Sequence, residues 1–224
     1  MALTKFNFNS FDLTTAASKG LAFNSSANGF ETSSAGSMTL IKTLTASNSS
    51  SIDFVHGSSD VVLDNTYPVY LLKVINSHPS SDDVELNVNF RDGGSNYDAT
   101  KTSSCFSASL YENNQAYYLQ YDNGHDLAQS TGNQPIVTNT GKGSVSDNST
   151  SGELFLFNPS STTFVKHYMV KTNFMGNDGA NAYTENAYTA GYCNVTAAID
   201  GVRFLYSSGN IDSGTFKLYG IKDS

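Results

Sequence analysis

Four histidines (His56, His78, His125, His167) and two cysteines (Cys105, Cys193) are the side chains of this 224-residue sequence best suited to proton transfer, nucleophilic attack or metal binding. His78 with Asp82 and Asp83 offers the residue types of the base and orienter of a Ser-His-Asp arrangement, flanking Pro79-Ser80-Ser81. Such triads are defined by geometry and not by sequence proximity. The stretch reads as a loop between two strands, and no Gly-x-Ser-x-Gly elbow accompanies it. His167 lies inside a strand-like run, between Lys166 and Tyr168, and reads as a surface or interface residue. No zinc-protease, phosphate-loop or dinucleotide-binding motif occurs. A glycosidase would need two carboxyl groups roughly 5–9.5 Å apart, and few acidic residues fall on the strand-like runs. The expectation is a non-enzyme without catalytic residues.

Residues 122–126 (DNGHD) and 177–181 (NDGAN) offer oxygen ligands in glycine-bearing loops. Neither reproduces the spacing of a calcium-binding EF-hand, and Asn, Asp and Gly are the ordinary residues of turns. Cys105 and Cys193 lack metal-ligand spacing and are too few for a disulfide framework, so they read as small buried thiols. No metal or cofactor is expected.

Aromatic residues are plentiful, with 13 Tyr and 14 Phe but no Trp. Tyr111, Tyr117, Tyr118 and Tyr121 cluster in the sequence. Tyr117, Tyr118 and Tyr121, beside a long polar stretch at 124–152, are the candidate ligand or interface residues. Tyrosine suits both sugar stacking and subunit contact because a large ring is ordered at low entropic cost. Half-buried tyrosines on sheet faces give the same pattern.

These groups must be positioned by strands. Only 14% of residues are charged and the mean hydropathy is -0.30, so Ser, Thr, Asn and Gly supply the solvation. Ser and Asn compete with helix by bonding nearby backbone, and Thr favours a pleated surface. The net charge is -8 and the 12 basic residues are scattered, which argues against nucleic-acid binding. No apolar run approaches the ~20 residues of a membrane helix. The start lacks the basic-then-apolar shape of a secretory leader, so the expectation is a chain made and assembled in cytoplasm, with no membrane partner.

Short apolar runs alternate with turn-rich gaps at 38–44, 52–55, 67–75, 84–91, 105–111, 117–121, 153–157, 164–170, 187–193, 202–206 and 215–221. In 84–91, Leu86, Val88 and Phe90 point one way, while Glu85, Asn87, Asn89 and Arg91 point to water. Asp92-Gly93-Gly94 then supplies a turn. The run 67–75 is nearly all apolar and reads as a central strand covered on both sides. The last two runs flank an eight-residue link at 207–214 with glycines at Gly209 and Gly214, which predicts a closing antiparallel hairpin. The fold class is all-β, a two-sheet β-sandwich or jelly-roll-like domain over 37–224. The stretch 124–152 reads as a functional or mobile loop. Residues 1–36 read as an N-terminal arm in which Phe6, Phe8, Phe11 and Leu13 dock on a neighbour or on the domain itself. An ordinary first strand and loop fits that pattern equally.

Several segments carry a family resemblance: 41–47, 51–54, 70–79, 87–97 (NVNFRDGGSNY), 126–130, 151–167 (SGELFLFNPSSTTFVKH) and above all 207–221 (SSGNIDSGTFKLYGI). Together, over about 38–222, they resemble structural proteins of marine bacteriophages, particularly those of cyanobacteria. The resemblance implies a virion component on the particle exterior, as capsid decoration or tail part. It implies other virion proteins and copies of itself as partners. A receptor-binding tip that contacts a host-surface glycan is the alternative.

Overall fold

The computed structural model describes residues 19–23, 26, 29–34, 37–138 and 144–222. The docking-arm residues Phe6, Phe8, Phe11 and Leu13 lie outside them. Two short strands, β1 (Lys19–Phe23) and β2 (Phe30–Ser34), form a separate two-stranded antiparallel sheet in which Phe23 stacks on Phe30.

The remaining strands are β3 (Met38–Ser49), β4 (Ile52–Val55), β5 (Val69–Pro79), β6 (Leu86–Arg91), β7 (Lys101–Tyr111), β8 (Tyr117–Tyr121), β9 (Gln134–Pro135), β10 (Thr150–Phe157), β11 (Lys166–Asn177), β12 (Ala182–Cys193), β13 (Gly201–Tyr206) and β14 (Ile211–Ile221). They make an eight-stranded sheet, β3-β14-β5-β10-β11-β12-β7-β8, and a four-stranded sheet, β4-β13-β6-β9. Within this set, β3-β14-β5-β10 and β4-β13-β6-β9 follow the interleaved strand order of a jelly roll: the chain passes from one sheet to the other at almost every connection. The pairs β7–β8 and β11–β12 are additions that widen the first sheet.

Alternation makes the core. Tyr70, Leu72, Leu154, Leu156, Phe216 and Leu218 on the larger sheet face Phe54, Leu86, Val88, Phe90, Val202 and Phe204 on the smaller one, all of them buried. Burying each such side chain contributes about 1.5–3 kcal/mol.

The strands at 52–55 and 117–121 coincide with the apolar runs, and most others extend beyond theirs through Ser, Thr and Asn. Three expectations need correction. First, β13 and β14 are not a hairpin. β13 pairs with β4 and β6, whereas β14 pairs with β3 and β5. The link between them turns the corner from one sheet to the other, held where Ser207 N–H donates to Glu85 O (2.9 Å) and Ser80 N–H donates to Asn210 O (3.0 Å). Second, Asn87 and Asn89 do not face water. They are buried under the chain that follows β8; Asn89 Nδ2 donates to Asn133 Oδ1 at 2.9 Å. Third, β5 is central, but its outer face is not fully covered: Leu71 is buried whereas Ile75 is exposed.

The stretch 124–152 is likewise more than a polar loop. Its part around β9 is core, with Gln134, Ile136 and Val137 fully buried. The inner faces of β7, β11 and β12 carry Ser107, Thr172, Glu185 and Thr189. This segment partners Thr172 and Glu185, while Thr189 Oγ1 donates to Cys105 Sγ at 3.5 Å. Thr138 donates to Glu185, Thr172 donates to the carbonyl of Ile136, and Tyr168 donates to Gln134 Oε1 at 2.9 Å. A polar sheet face requires a polar cover, because an unpartnered buried polar group costs about 1–3 kcal/mol.

Candidate functional site

The candidate tyrosines form the margin of the larger sheet. Among the described residues β8 is its last strand, hydrogen-bonded only to β7, and all five of its residues are exposed. Register opposes Tyr117, Leu119 and Tyr121 to Leu110, Ala108 and Phe106, and directly opposed residues share a face. Tyr117, Leu119 and Tyr121 therefore stand on the outer face, beside exposed Phe106 and Leu110. Phe106 stacks on Tyr188 with ring centroids 4.9 Å apart, and Lys171 Nζ lies 5.7 Å from the Tyr188 ring centre. Tyr118 and Gln120 point the other way. There Tyr118 meets Tyr111 edge-on at 6.5 Å, and Tyr111 stacks on Tyr183 at 5.2 Å.

The three tyrosines are thus not one platform. Tyr117 and Tyr121 share a face but are roughly 13 Å apart along the strand, with Leu119 between them. Tyr121 Oη donates to Asp126 Oδ2 at 2.5 Å, and this bond raises the phenol's pKa. It is the contact that ties the candidate group to the start of the long loop.

Further along the outer face, Val69, Phe155, Phe157, Met169, Tyr188 and Ile221 line an open apolar hollow of about 590 Å³ bordered by Glu153 and Lys171. Sequence periodicity showed alternation in these strands but not that their outward residues gather into one surface. That surface becomes visible only once β5, β10, β11 and β12 are in register.

The groups singled out for chemistry take structural places. His78 faces Asp212 Oδ2 (Nδ1 at 3.5 Å) and the carbonyl of Val145 (Nε2 at 3.1 Å). Asp82 instead accepts from Ser144 N–H and Oγ–H, so the His78, Asp82 and Asp83 grouping does not assemble as a base and its orienter. His56 Nδ1 accepts from Leu63 N–H at 3.1 Å, and His167 is exposed beside Tyr192. His125 lies between two carboxylates, Nε2 at 3.2 Å from Glu85 Oε1 and Nδ1 at 2.6 Å from Asp122 Oδ1. Glu85, with Asp122 behind it, holds the imidazolium pKa up at about 9. A ring that keeps its proton at neutral pH acts as an ionic clamp on the 122–126 turn. The stretch 177–181 is also a turn, in which Asp178 accepts from Ala180 and Asn181 N–H. Among the described residues, no group of three or more His, Cys, Asp or Glu side chains gathers to hold a metal ion.

Both cysteines are buried free thiols. Cys193 stands in register between Lys101 on β7 and Lys166 on β11, two lysines that are themselves fully buried. Burial pushes the Cys193 thiol up to about 12, so it is protonated and unreactive at neutral pH. Lys101 Nζ donates to Asn89 Oδ1 (2.6 Å) and Ala99 O (2.7 Å), and burial lowers its pKa to about 8. Lys166 Nζ donates to Val195 O at 2.7 Å. Neither buried cation is legible in the sequence, because Lys101 and Lys166 belong to the scattered basic residues and no local pattern marks a lysine as buried.

Comparison of the chain with protein-family models, with curated proteins and with solved structures yields no match.

Proposed function

We infer that this chain is a structural component of a bacteriophage particle, placed on the particle exterior and acting through protein–protein contacts. The observation that carries the reading is the apolar outer face and margin of the eight-stranded sheet, from Tyr117 and Leu119 through Phe106 to Met169. Contiguous exposed apolar surface marks a contact site. Two further points support it: jelly rolls commonly serve as capsid and lectin domains, and the segments from 41 to 221 resemble marine phage structural proteins. The polar groups with catalytic potential are committed to ion pairs and turns, which suits a building block. Mass spectrometry of purified virions from the phage that encodes this chain tests the reading; absence of the chain from them would overturn it. Copy number then separates the options, since hundreds per particle mean decoration and a handful mean a tail part.

A second reading, a glycan-binding receptor tip, is favoured by one observation: Tyr117 and Tyr121 stand exposed on one face beside the 122–126 turn. Glycan-array binding that disappears in Tyr117→Ala and Tyr121→Ala variants would support it, and a blank array would count against it.

A further inference from the structure

We propose that β8 pairs with β8 of a second copy of this chain, antiparallel across a two-fold axis at Leu119, to join two eight-stranded sheets into one. The proposal rests on the assembly reading above and names its partner and its contact.

The backbone sets the register. In the β7–β8 ladder, Tyr111 N–H donates to Ala116 O and Asp122 N–H donates to Cys105 O. Since bonded pairs alternate along an antiparallel ladder, Tyr118 and Gln120 turn their N–H and C=O groups toward β7. Tyr117, Leu119 and Tyr121 turn theirs outward, away from the sheet. An edge of this kind is a template for another strand. Two copies centred on Leu119 would place Tyr117 against the other copy's Tyr121, and Leu119 against its own equivalent. Every outward backbone group then has a partner.

The side chains agree with this register. The sequence Tyr117-Tyr118-Leu119-Gln120-Tyr121 is nearly palindromic about Leu119, so its outer face presents Tyr, Leu, Tyr in either direction. A contact between identical patches must be self-complementary in this way. β8 has neither the charge nor the proline that ordinarily guards a sheet edge. In a chain of net charge -8, it is a neutral stretch. The first acidic residue after it, Asp122, would fall opposite Ala116, so no like charges meet along the paired strands.

Area sets the strength. Tyr117, Tyr118, Leu119 and Tyr121 are 77%, 55%, 79% and 61% exposed, and Phe106 and Leu110 beside them are 47% and 44% exposed. At ~150–250 Å² for a large side chain, these exposures total roughly 550–900 Å² per copy. Edge-to-edge pairing covers only part of that, since Tyr118 points to the other face and Phe106 and Leu110 lie one strand in. Two copies thus fall near the lower end of specific interfaces, about 1,200 Å². The pairing is therefore reversible and shifts with concentration, and the high local density of a particle surface would favour it.

Sedimentation velocity of the full chain over a concentration series is the test. The wild type should pass from monomer to dimer, while Leu119→Lys and Leu119→Glu each stay monomeric because position 119 meets its own charge. An equimolar mixture of the two variants should recover the dimer, a rescue that requires residue 119 to contact residue 119. A wild type that stays monomeric throughout, a single variant that still dimerises, or a mixture without rescue overturns the proposal; pairing of β8 with another edge, such as β3, gives the last result. Leu119 is exposed, so the variants retain the fold, which circular dichroism verifies. Amide exchange gives an independent reading: protection at Tyr117, Leu119 and Tyr121 should rise with concentration, while Tyr118 and Gln120 stay protected throughout. A concentration-independent pattern at all five contradicts the proposal. If the chain dimerises but is missing from virions, the virion reading fails and this inference stands; the reverse result sinks only this inference.

Discussion

Phe204 and Phe216 meet across the core with ring centroids 5.3 Å apart and planes inclined at 42°. They sit on strands adjacent in the chain but in opposite sheets, β13 in the smaller and β14 in the larger. Both are fully buried. This contact fastens the two sheets where the corner at 207–210 delivers one strand from the other.

Phe204→Ala and Phe216→Ala should each lower the unfolding free energy by about 3–5 kcal/mol. The double variant should lose less than the sum, because the rings contact each other. Urea denaturation of the four proteins measures this. Strict additivity would mean that the rings do not share the core contact.

The same pair shows what was legible in the sequence. The alternation of Val202, Phe204 and Tyr206, and of Phe216 and Leu218, identified two strands and their buried faces. It did not identify their neighbours. A period of two fixes which side chains are covered, and it is identical whether two strands lie side by side or face to face. The glycines at the link, read as hairpin brackets, have separate roles: Gly209 (φ +72°) turns the corner, and Gly214 (φ +140°) sits at an irregularity in the β14–β5 register. Likewise Asn87 and Asn89 read as wet because they alternate with apolar residues, and their cover arrives from a segment more than 40 residues later. The candidate strand Tyr117–Tyr121 was legible residue for residue. That its tyrosines, grouped as one candidate set, stand on two faces and at the margin of the larger sheet was shown by the β7–β8 register.

Gly214 tests that irregularity. A Cβ at this position would lie 2.9 Å from Ser77 Cα, and its φ is one that L side chains rarely adopt. Gly214→Ala should cost about 2 kcal/mol. Gly57→Ala, at φ +77° in open space, should cost about 1 kcal/mol. Thermal melts of the two variants compare them, and equal losses would argue against the close approach of β14 to Ser77.

His125 makes stability depend on pH. Its folded pKa of about 9 lies above the ordinary 6.5, so the folded state holds the proton more tightly. The clamp's contribution is fully present below pH 6.5 and is lost as pH rises through 9. Unfolding free energy should fall by about 3 kcal/mol over that window, and His125→Gln should flatten the fall. An unchanged pH profile in the variant would remove His125 as its cause.

Lys101 acts in the opposite sense. Its folded pKa of about 8 lies below the ordinary 10.5, so above pH 8 the unfolded chain holds more protons and stability should rise with pH. The rise is readable up to about pH 10, above which buried tyrosines with raised pKa, such as Tyr70 and Tyr206, oppose it. Lys101→Met should remove this rising component, while leaving Ala99 O and Asn89 Oδ1 without the ammonium's hydrogen bonds at a cost of about 1–3 kcal/mol at neutral pH. A large loss at pH 7 with the slope intact would contradict the assignment.

The virion reading is tested most directly by a cryo-electron microscopy map of the intact particle in which every exterior density is assigned to a chain. This double-sheet domain is expected on the outside of the head or tail, with the β8 margin of its larger sheet against a neighbouring protein. A map whose exterior is fully explained by other chains would contradict it.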